Sequence, residues 1–394
     1  MLRFAPSPTG DMDISSLQIA TLNYLVAQQK NRGFLVRIED SDIKYISDGK
    51  DTEIMLILEK FALKHDTLYH QSEHLSIHQT LAIRLLKEKK AFICQCNNLT
   101  EEDRPCQGAC KELDQEDFQK LKEQNTPFVI RVKGMEDFVI LKSDGRPTPN
   151  FATACDDMLS SIELILHRED HRTIKREIYI KELLGYEIPT EYIELPQIPN
   201  AKEFSIKRLF EEGFIPDAIL NYLILLSNPD APQEIFTLPE AIGWFDLKAL
   251  PKEQIPFEIT KLRYINQKHL EKMEDKALSR LFGFADEDIG KLAKLYLQEA
   301  TTITELDAKI RPIFRPKNFD QKEGEKMRVL EKIIANAPLF EEFDPFKQHI
   351  LNESGFDEKD LIPPLRILLT GASHGPKLSE IYPFIKSYLL EVAS

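Results

Sequence analysis

Residues 2–40 read LRFAPSPTGDMDISSLQIATLNYLVAQQKNRGFLVRIED, and this stretch decides the fold class. Residues 2–5 form a short apolar run that ends in the turn-forming sequence Pro-Ser-Pro-Thr-Gly. Apolar residues then recur at helical spacing over 14–29, and 34–38 is a second apolar run. Because a strand–helix–strand unit aligns its two strands in parallel, the sequence predicts an α/β Rossmann-type domain with a doubly wound parallel sheet.

The rest of the chain divides into a mixed part and a helical part. Apolar periodicity predicts further elements before residue 190: helices over 51–64 and 74–90, strands over 128–132 and 138–142, and a strand and helix within 156–186. From Pro216 onward the pattern is helical to the end, and Pro251 and Pro256 mark a linker. The predicted fold is therefore a parallel-sheet domain followed by an all-α C-terminal domain.

Length and composition limit the classes of protein to consider. The 394 residues suffice for two or three domains, and 42% hydrophobic with 29% charged residues is typical of a globular protein. The net charge of −14 disfavours a dedicated nucleic-acid binder, although local basic patches decide phosphate contact. No apolar run reaches membrane-spanning length and the N-terminus has no apolar signal core, so we expect a cytoplasmic protein without a membrane partner.

Four of the five cysteines lie close together in the sequence. Cys94, Cys96, Cys106 and Cys110 fall in one segment that also contains the turn residues Asn97, Asn98, Pro105 and Gly108. Four thiols are the ligand set of a closed tetrahedral zinc site, and a cysteine cluster in a long cytoplasmic chain favours a metal over disulfides. The sequence therefore predicts a structural zinc ion here, with Cys155 as a buried packing residue.

Several motifs, in order along the whole chain, resemble glutamyl-tRNA synthetases, in particular the second synthetase of bacteria that carry two copies. They are RFAPSPTG at 3–10, RIEDSD at 37–42, DFVILKSDG at 137–145, NFATACDDM at 150–158, EDH at 169–171, FEEGFIPDAILNYL at 210–223 and LRILLTGASHGP at 365–376. The resemblance implies a class I catalytic domain at 1–200 with an inserted zinc and acceptor-end segment at about 91–136. It further implies a helical stem-contact region at 201–262 and an anticodon-binding-like domain at 263–394. The implied partners are tRNA of the glutamate or glutamine type, and glutamate or a similar acid.

The two elements with which this family holds ATP both depart from the pattern. A His-Ile-Gly-His-like signature opens the first helix in the family, and the equivalent residues are Asp13, Ile14, Ser15 and Ser16. Asp13 adds negative charge where phosphates bind, although aspartate and serine also suit a helix N-terminus. The family's lysine-rich loop corresponds either to a decayed loop with Lys202, Ser205 and Lys207, or to a deletion, with Ser205 opening the next helix. The helix-start pattern at 205–210 favours the deletion.

The resemblance places amino-acid contacts at Arg3, Ser7 and Glu39. A charge-assisted pair between Arg3 and a substrate carboxylate is one interpretation, and an Arg3–Glu39 pair that ties two strand ends is the other. The family's pocket tyrosine is Pro149 here, and its arginine falls at His167, with Arg168 as a replacement one residue later.

Two other sets of residues stay open. His167, Glu169, Asp170 and His171 form an acidic–imidazole cluster for which a structural role is favoured over a metal site. The segment before Phe138 that holds the tRNA acceptor end in the family is short.

The C-terminal half contains basic residues that are candidates for phosphate contact and equally suit solvated helix faces. They are Lys261, Arg263, Lys268, Arg311 and Arg315.

These departures favour a tRNA-binding paralogue in which glutamate adenylation is lost or strongly impaired. The alternative is an active glutamyl-tRNA synthetase that joins glutamate to tRNA with ATP and Mg²⁺, which are expected as ligands only in that case. A second alternative is a ligase or hydrolase on the same scaffold that uses the His167–His171 region. The sequence identifies no protein partner.

Overall fold

The computed structural model describes residues 1–96, 106, 109–112, 116–117, 120, 123–124, 126–168 and 171–394. The strands in these residues are β1 (Leu2–Phe4), β2 (Phe34–Ile38), β3 (Thr67–His70), β4 (Ala91–Cys94), β5 (Val129–Val132), β6 (Val139–Leu141), β7 (Leu164–His167) and β8 (Glu191–Glu194). None of the helices in the described residues is long and apolar enough to cross a membrane.

Five strands form a parallel sheet in the order β3–β2–β1–β7–β8. Every residue of β2 is buried, as expected for a strand that is covered on both faces. The strand order reverses at β1, which has β2 on one side and β7 on the other. In such sheets ligands bind beyond the carboxyl ends of the strands at the reversal, here after Phe4 and His167.

The structure describes five α-helices in the mixed part of the chain. They are α1 (Ile14–Gln29), α2 (Lys50–Lys60), α3 (Leu75–Lys87), α4 (Pro149–Leu159) and α5 (His171–Leu183). Helix α1 packs against β1, β2 and β7 of the parallel sheet. Helix α1 begins where predicted because the Asp13 side chain accepts a hydrogen bond from the Ser16 amide at 2.8 Å and caps the first turn. Helix α2 ends earlier than the predicted 64, since Phe61 leaves the helix and Ala62 has a φ of 55°.

A second, antiparallel sheet of three strands, β4–β5–β6, lies between β3 and β7 in the sequence. It carries Cys94 at the end of β4. This sheet interrupts the parallel-sheet domain in the sequence, as an insertion would, but its third strand lies beyond the limit of about 136 that was predicted for the inserted segment. Part of the segment lies outside the described residues.

The remaining chain is helical. Its helices are α6 (Ile206–Glu211), α7 (Pro216–Ser227), α8 (Leu238–Trp244), α9 (Ile259–Lys272), α10 (Asp275–Leu281), α11 (Glu287–Leu295), α12 (Ile303–Ile310), α13 (Gly324–Asn336), α14 (Phe343–Ser354), α15 (Glu358–Thr370), α16 (Leu378–Ile385) and α17 (Leu389–Val392). The predicted fold class, a Rossmann-type sheet domain followed by an all-α part, is confirmed.

The chain separates into two compact units. One comprises 1–206 and 223–257, and the other comprises 207–222 and 258–394. The boundaries predicted at 200 and 262 therefore differ from this division, because the segment between them contributes to both units. The assignment of stem and anticodon contacts to these regions stays a prediction.

Candidate functional site

A buried carboxylate holds together the strand ends at the reversal point of the sheet. Asp157, on α4, accepts hydrogen bonds from Arg3 Nε at 2.7 Å and from Arg3 Nη2 at 3.1 Å. Arg37 Nη1 donates to the same carboxylate at 2.7 Å. The Asp157 side chain is fully buried, and burial alone would raise its pKa. The two guanidinium groups outweigh that effect and lower the pKa to about 2.

Lys181, on α5, adds a third cation to this cluster. Its ammonium group donates to the Tyr192 hydroxyl at 2.9 Å and lies 3.8 Å from the Asp157 carboxylate. Burial is the largest influence on Lys181 and lowers its pKa, against the opposite effect of Asp157. No role for Arg37, Asp157 or Lys181 was predicted from the sequence. Two signals were available in the sequence for buried charges. One is an arginine inside the apolar run 34–38, and the other is an Asp-Asp pair in an apolar helix.

Glu39 lies beyond the carboxyl end of β2 and is bound by neighbours other than Arg3. Its Oε1 accepts from Arg37 Nη2 at 2.9 Å and from the Thr153 hydroxyl at 3.1 Å. The strand ends are therefore not tied by an Arg3–Glu39 pair, because Arg3 forms its hydrogen bonds with Asp157. Ser7 is exposed in the turn after β1. Of the candidates for contact with the amino acid on this side of the sheet, Glu39 and Ser7 have polar groups near solvent.

The nucleotide-signature residues are connected directly to the chain that precedes α6. Asp13 and Ser205 form an antiparallel bridge. The Ile14 amide donates to the Phe204 carbonyl at 3.2 Å, and the Ile206 amide donates to the Met12 carbonyl at 2.8 Å. Helix α6 begins immediately after Ser205, so this arrangement agrees with a deleted lysine loop. Lys202 and Lys207 are both exposed, on a short 3₁₀ helix (Ala201–Glu203) and on α6.

Arg168, a candidate for amino-acid binding, bonds to protein groups. Its Nε donates to the Pro196 carbonyl and its Nη1 to the Ser15 carbonyl, both at 3.0 Å, and Nη2 donates to the Gln18 side chain. Burial lowers the pKa of Arg168 to about 10, and the charge of Asp13 opposes this shift. Arg168 thus braces the first turn of α1 and compensates part of the charge that Asp13 introduces.

Histidines occur in two places near this site. His167 ends β7 in a buried position and its ring meets Tyr192 edge-on, whereas His171 is exposed at the start of α5. Glu169 and Asp170 of the same predicted cluster lie outside the described residues. His74 and His78 both contact Asp156, at 2.9 and 2.8 Å, and the three offer ligand atoms close enough to share a metal. Hydrogen bonds at these distances account for this second group without a metal.

The four clustered cysteines converge in space as predicted. Their sulfur atoms all lie within 4.8 Å of one another. Cys96 Sγ is 3.6 Å from Cys106 Sγ and 3.8 Å from Cys110 Sγ. Burial raises the pKa of the Cys94 thiol to about 12, against hydrogen bonds that lower it, one of them from Arg131. Cys155 is buried in a separate apolar core, and the turn residues 97, 98, 105 and 108 lie outside the described part of the chain.

Comparison with known proteins gives the family. Residues 1–137 match the model of the class I tRNA synthetase (E and Q) catalytic domain. The chain is 55% identical to glutamate–tRNA ligase 2 of a Sulfurovum species and 42% identical to glutamate–tRNA ligase 1 of a Nitratiruptor species. Both alignments cover the full length of this chain and of the relative. The first alignment runs over 430 positions, 36 more than the 394 residues of this chain, so this chain has gaps where that relative has residues.

A solved structure shares the fold. The glutamate–tRNA ligase of Elizabethkingia meningosepticum superimposes with a TM-score of 0.77, at 24% identity, over 99% of this chain and 97% of that one. The fold, the catalytic-domain match and the full-length identity agree. The chain belongs to the glutamate–tRNA ligase family of class I tRNA synthetases.

Proposed function

We propose that this protein joins glutamate to tRNA at the expense of ATP, the reaction for which its relatives are named. The full-length identity of 55% to a glutamate–tRNA ligase carries this proposal. An active synthetase was the alternative prediction from the sequence, and the comparisons support it better than they support an inactive paralogue. The partners are then glutamate, ATP with Mg²⁺, and tRNA of the glutamate or glutamine type.

Glutamate would bind beyond the carboxyl ends of β1 and β2. Glu39 keeps a partly exposed carboxylate there, suited to the substrate ammonium group, and Ser7 offers a hydroxyl. Arg3 and Arg37 hold this region rigid through Asp157 and supply positive potential for an acidic substrate. Fixed charges on rigid strands lower the cost of orienting a substrate.

Adenylate formation is expected to be the slow step. Asp13 brings a negative charge to the element that meets the triphosphate, and the phosphate-binding lysine loop has no clear equivalent. Like charges about 4 Å apart cost on the order of 1 kcal/mol in water and ~4 kcal/mol at an effective dielectric constant of about 20. The proposed ligase is therefore one with weak ATP binding.

A tRNA-binding protein without adenylation is the second candidate. It is supported by the direct hydrogen bonding of residues 12–14 to residues 204–206, an arrangement that fits a deletion of the family's lysine loop before α6. ATP-dependent attachment of labelled glutamate to tRNA separates the two candidates. Attachment above an ATP-free blank supports the ligase, and tRNA binding without attachment supports the second candidate.

We also propose that the four clustered cysteines hold one zinc ion. Zinc–thiolate bonds of about 2.3 Å in a tetrahedron place the sulfur atoms about 3.8 Å apart, and the Cys96–Cys106 and Cys96–Cys110 distances of 3.6 and 3.8 Å fit this geometry. A site with four protein ligands has no open position for substrate, so its role would be structural.

Elemental analysis of the purified protein is expected to give about one zinc per chain. A Cys106→Ser, Cys110→Ser variant should lose the metal and melt at a lower temperature, because binding a structural metal is coupled to folding. Cys155→Ala is the control, since Cys155 lies outside the cluster, and it should keep the metal. Metal-free wild-type protein, or a double variant that retains zinc, would contradict the assignment.

A further inference from the structure

One face of the antiparallel sheet carries an arginine beside the cysteines. Cys94 pairs with Val129 and Phe92 pairs with Arg131 in the β4–β5 register. Because side chains alternate between the two faces of a strand, these four residues share one face. Phe92, Cys94 and Val129 form a buried cluster on this face, against which Cys96, Cys106 and Cys110 pack.

Arg131 is buried on this face, at 1% exposure. Its Nη1 donates to the Asp137 carbonyl at 3.2 Å, and the β4–β5 register places it diagonally across from Cys94 on the same face. The Asp137 carboxylate itself pairs with Lys111 at 2.5 Å. A guanidinium group keeps its charge at any physiological pH, and its burial is costly unless negative charge faces it.

Four thiolates around a divalent cation supply that negative charge. Such a cluster is a dianion, and hydrogen bonds and cations around metal ligands tune its stability. Lys111 directly follows Cys110 on a 3₁₀ helix, with its ammonium group 5.8 Å from the centre of the Phe92 ring, and it is already paired with Asp137.

We infer that Arg131 is the charge partner of the metal–thiolate cluster, holding the Cys94 thiolate in place and slowing loss of the metal. This inference rests on the proposed zinc site. Arg131 is a positioning residue, because it acts on the metal through a cysteine ligand.

Zinc release and a cobalt spectrum test this role. We expect Arg131→Met to release zinc to a chromogenic chelator about 10–100-fold faster than the wild type. In Co²⁺-substituted protein the sulfur-to-metal charge-transfer band should move to longer wavelength, because a thiolate without a nearby cation gives up its electrons more easily. Arg131→Lys keeps the charge and should restore much of both properties.

Arg176→Met is the matched control. Arg176 is also a buried arginine of this region, stacked 4.8 Å from the centre of the Phe138 ring and paired with Glu136 at 2.9 Å, so its loss tests packing without the cysteines. Unchanged release and an unchanged cobalt band in Arg131→Met, or equal changes in Arg176→Met, would overturn the inference. Wild-type protein without metal would overturn it together with the zinc site, whereas glutamate attachment to tRNA is measured independently of both.

Discussion

Replacement of Asp157 by asparagine is expected to lower the free energy of unfolding by about 3–5 kcal/mol, the range for breaking a buried ion pair from one side. Arg3, Arg37 and Lys181 would lose the carboxylate that faces them in a site closed to water. Asparagine has nearly the same shape, so the loss reports charge rather than packing. Urea unfolding at neutral pH measures the change, with the slope of the transition as a check on two-state behaviour.

The same variant has a distinct pH dependence. The pKa of Asp157 is lowered to about 2 in the folded protein, below the value of about 3.9 for an unfolded chain. Its contribution to stability is therefore complete above about pH 4 and is lost as the pH falls toward 2. The difference in stability between wild type and Asp157→Asn should shrink over that window.

Asp144→Asn is the control for loss of a negative charge at the surface. Its side chain is largely exposed, its ion pair with the Arg146 guanidinium is 3.9 Å long, and asparagine can still accept the hydrogen bond that the Arg146 amide donates at 3.0 Å, so a change within about 0.5 kcal/mol is expected. If Asp157→Asn behaves like this control, the three cations do not depend on Asp157 and the proposed rigid base of the glutamate site is wrong.

Restoring the family's nucleotide signature is expected to raise the rate of adenylate formation by about 10²-fold. The change is Asp13→His with Ser15→Gly, which removes the negative charge and gives position 15 the glycine of the family's signature, a residue without a Cβ. The magnitude follows from a like-charge repulsion of about 1–4 kcal/mol, where 1.4 kcal/mol is a factor of about ten. Exchange of labelled pyrophosphate into ATP, with glutamate and tRNA present, gives the rate.

Asp13→Asn separates charge from helix capping. Asparagine still accepts the hydrogen bond that Asp13 receives from the Ser16 amide, so α1 keeps its cap while the charge is gone. This single variant should recover part of the gain. An exchange rate that is the same in wild type, Asp13→Asn and the double variant would exclude Asp13 as the limiting feature and would favour the lysine-loop positions as the source of the defect.

The strands and helices near the N-terminus were predictable because their signals are local. The apolar run 34–38 and the helical spacing of 14–29 coincide with β2 and α1. The cysteine cluster was predictable for the same reason, since its four thiols fall in one segment of the sequence. In each case neighbouring residues alone specify the element.

The charged centre of the site was not predictable in this way. Arg3 and Asp157 are 154 positions apart, and only the finished sheet and α4 bring them together. The sequence left two interpretations of Arg3 open, a pair with a substrate carboxylate and a pair with Glu39 that ties two strand ends. Arg37 lies on β2, two positions before Glu39, and donates a hydrogen bond to Glu39. Arg3 binds Asp157 instead. Long-range pairing of buried charges depends on which side chains share a face across several elements.

Attachment of labelled glutamate to tRNA by the full-length chain tests the proposed function most directly. Purified protein is incubated with total bacterial tRNA, glutamate, ATP and Mg²⁺, and acid-precipitable label is followed against an ATP-free blank. We predict slow but ATP-dependent attachment, reduced about tenfold in Ser7→Ala, which removes one exposed hydroxyl near the substrate while the melting temperature stays unchanged. Label that never exceeds the blank, from protein that is folded and binds tRNA, would contradict the proposal and leave a tRNA-binding member of the family that does not activate glutamate.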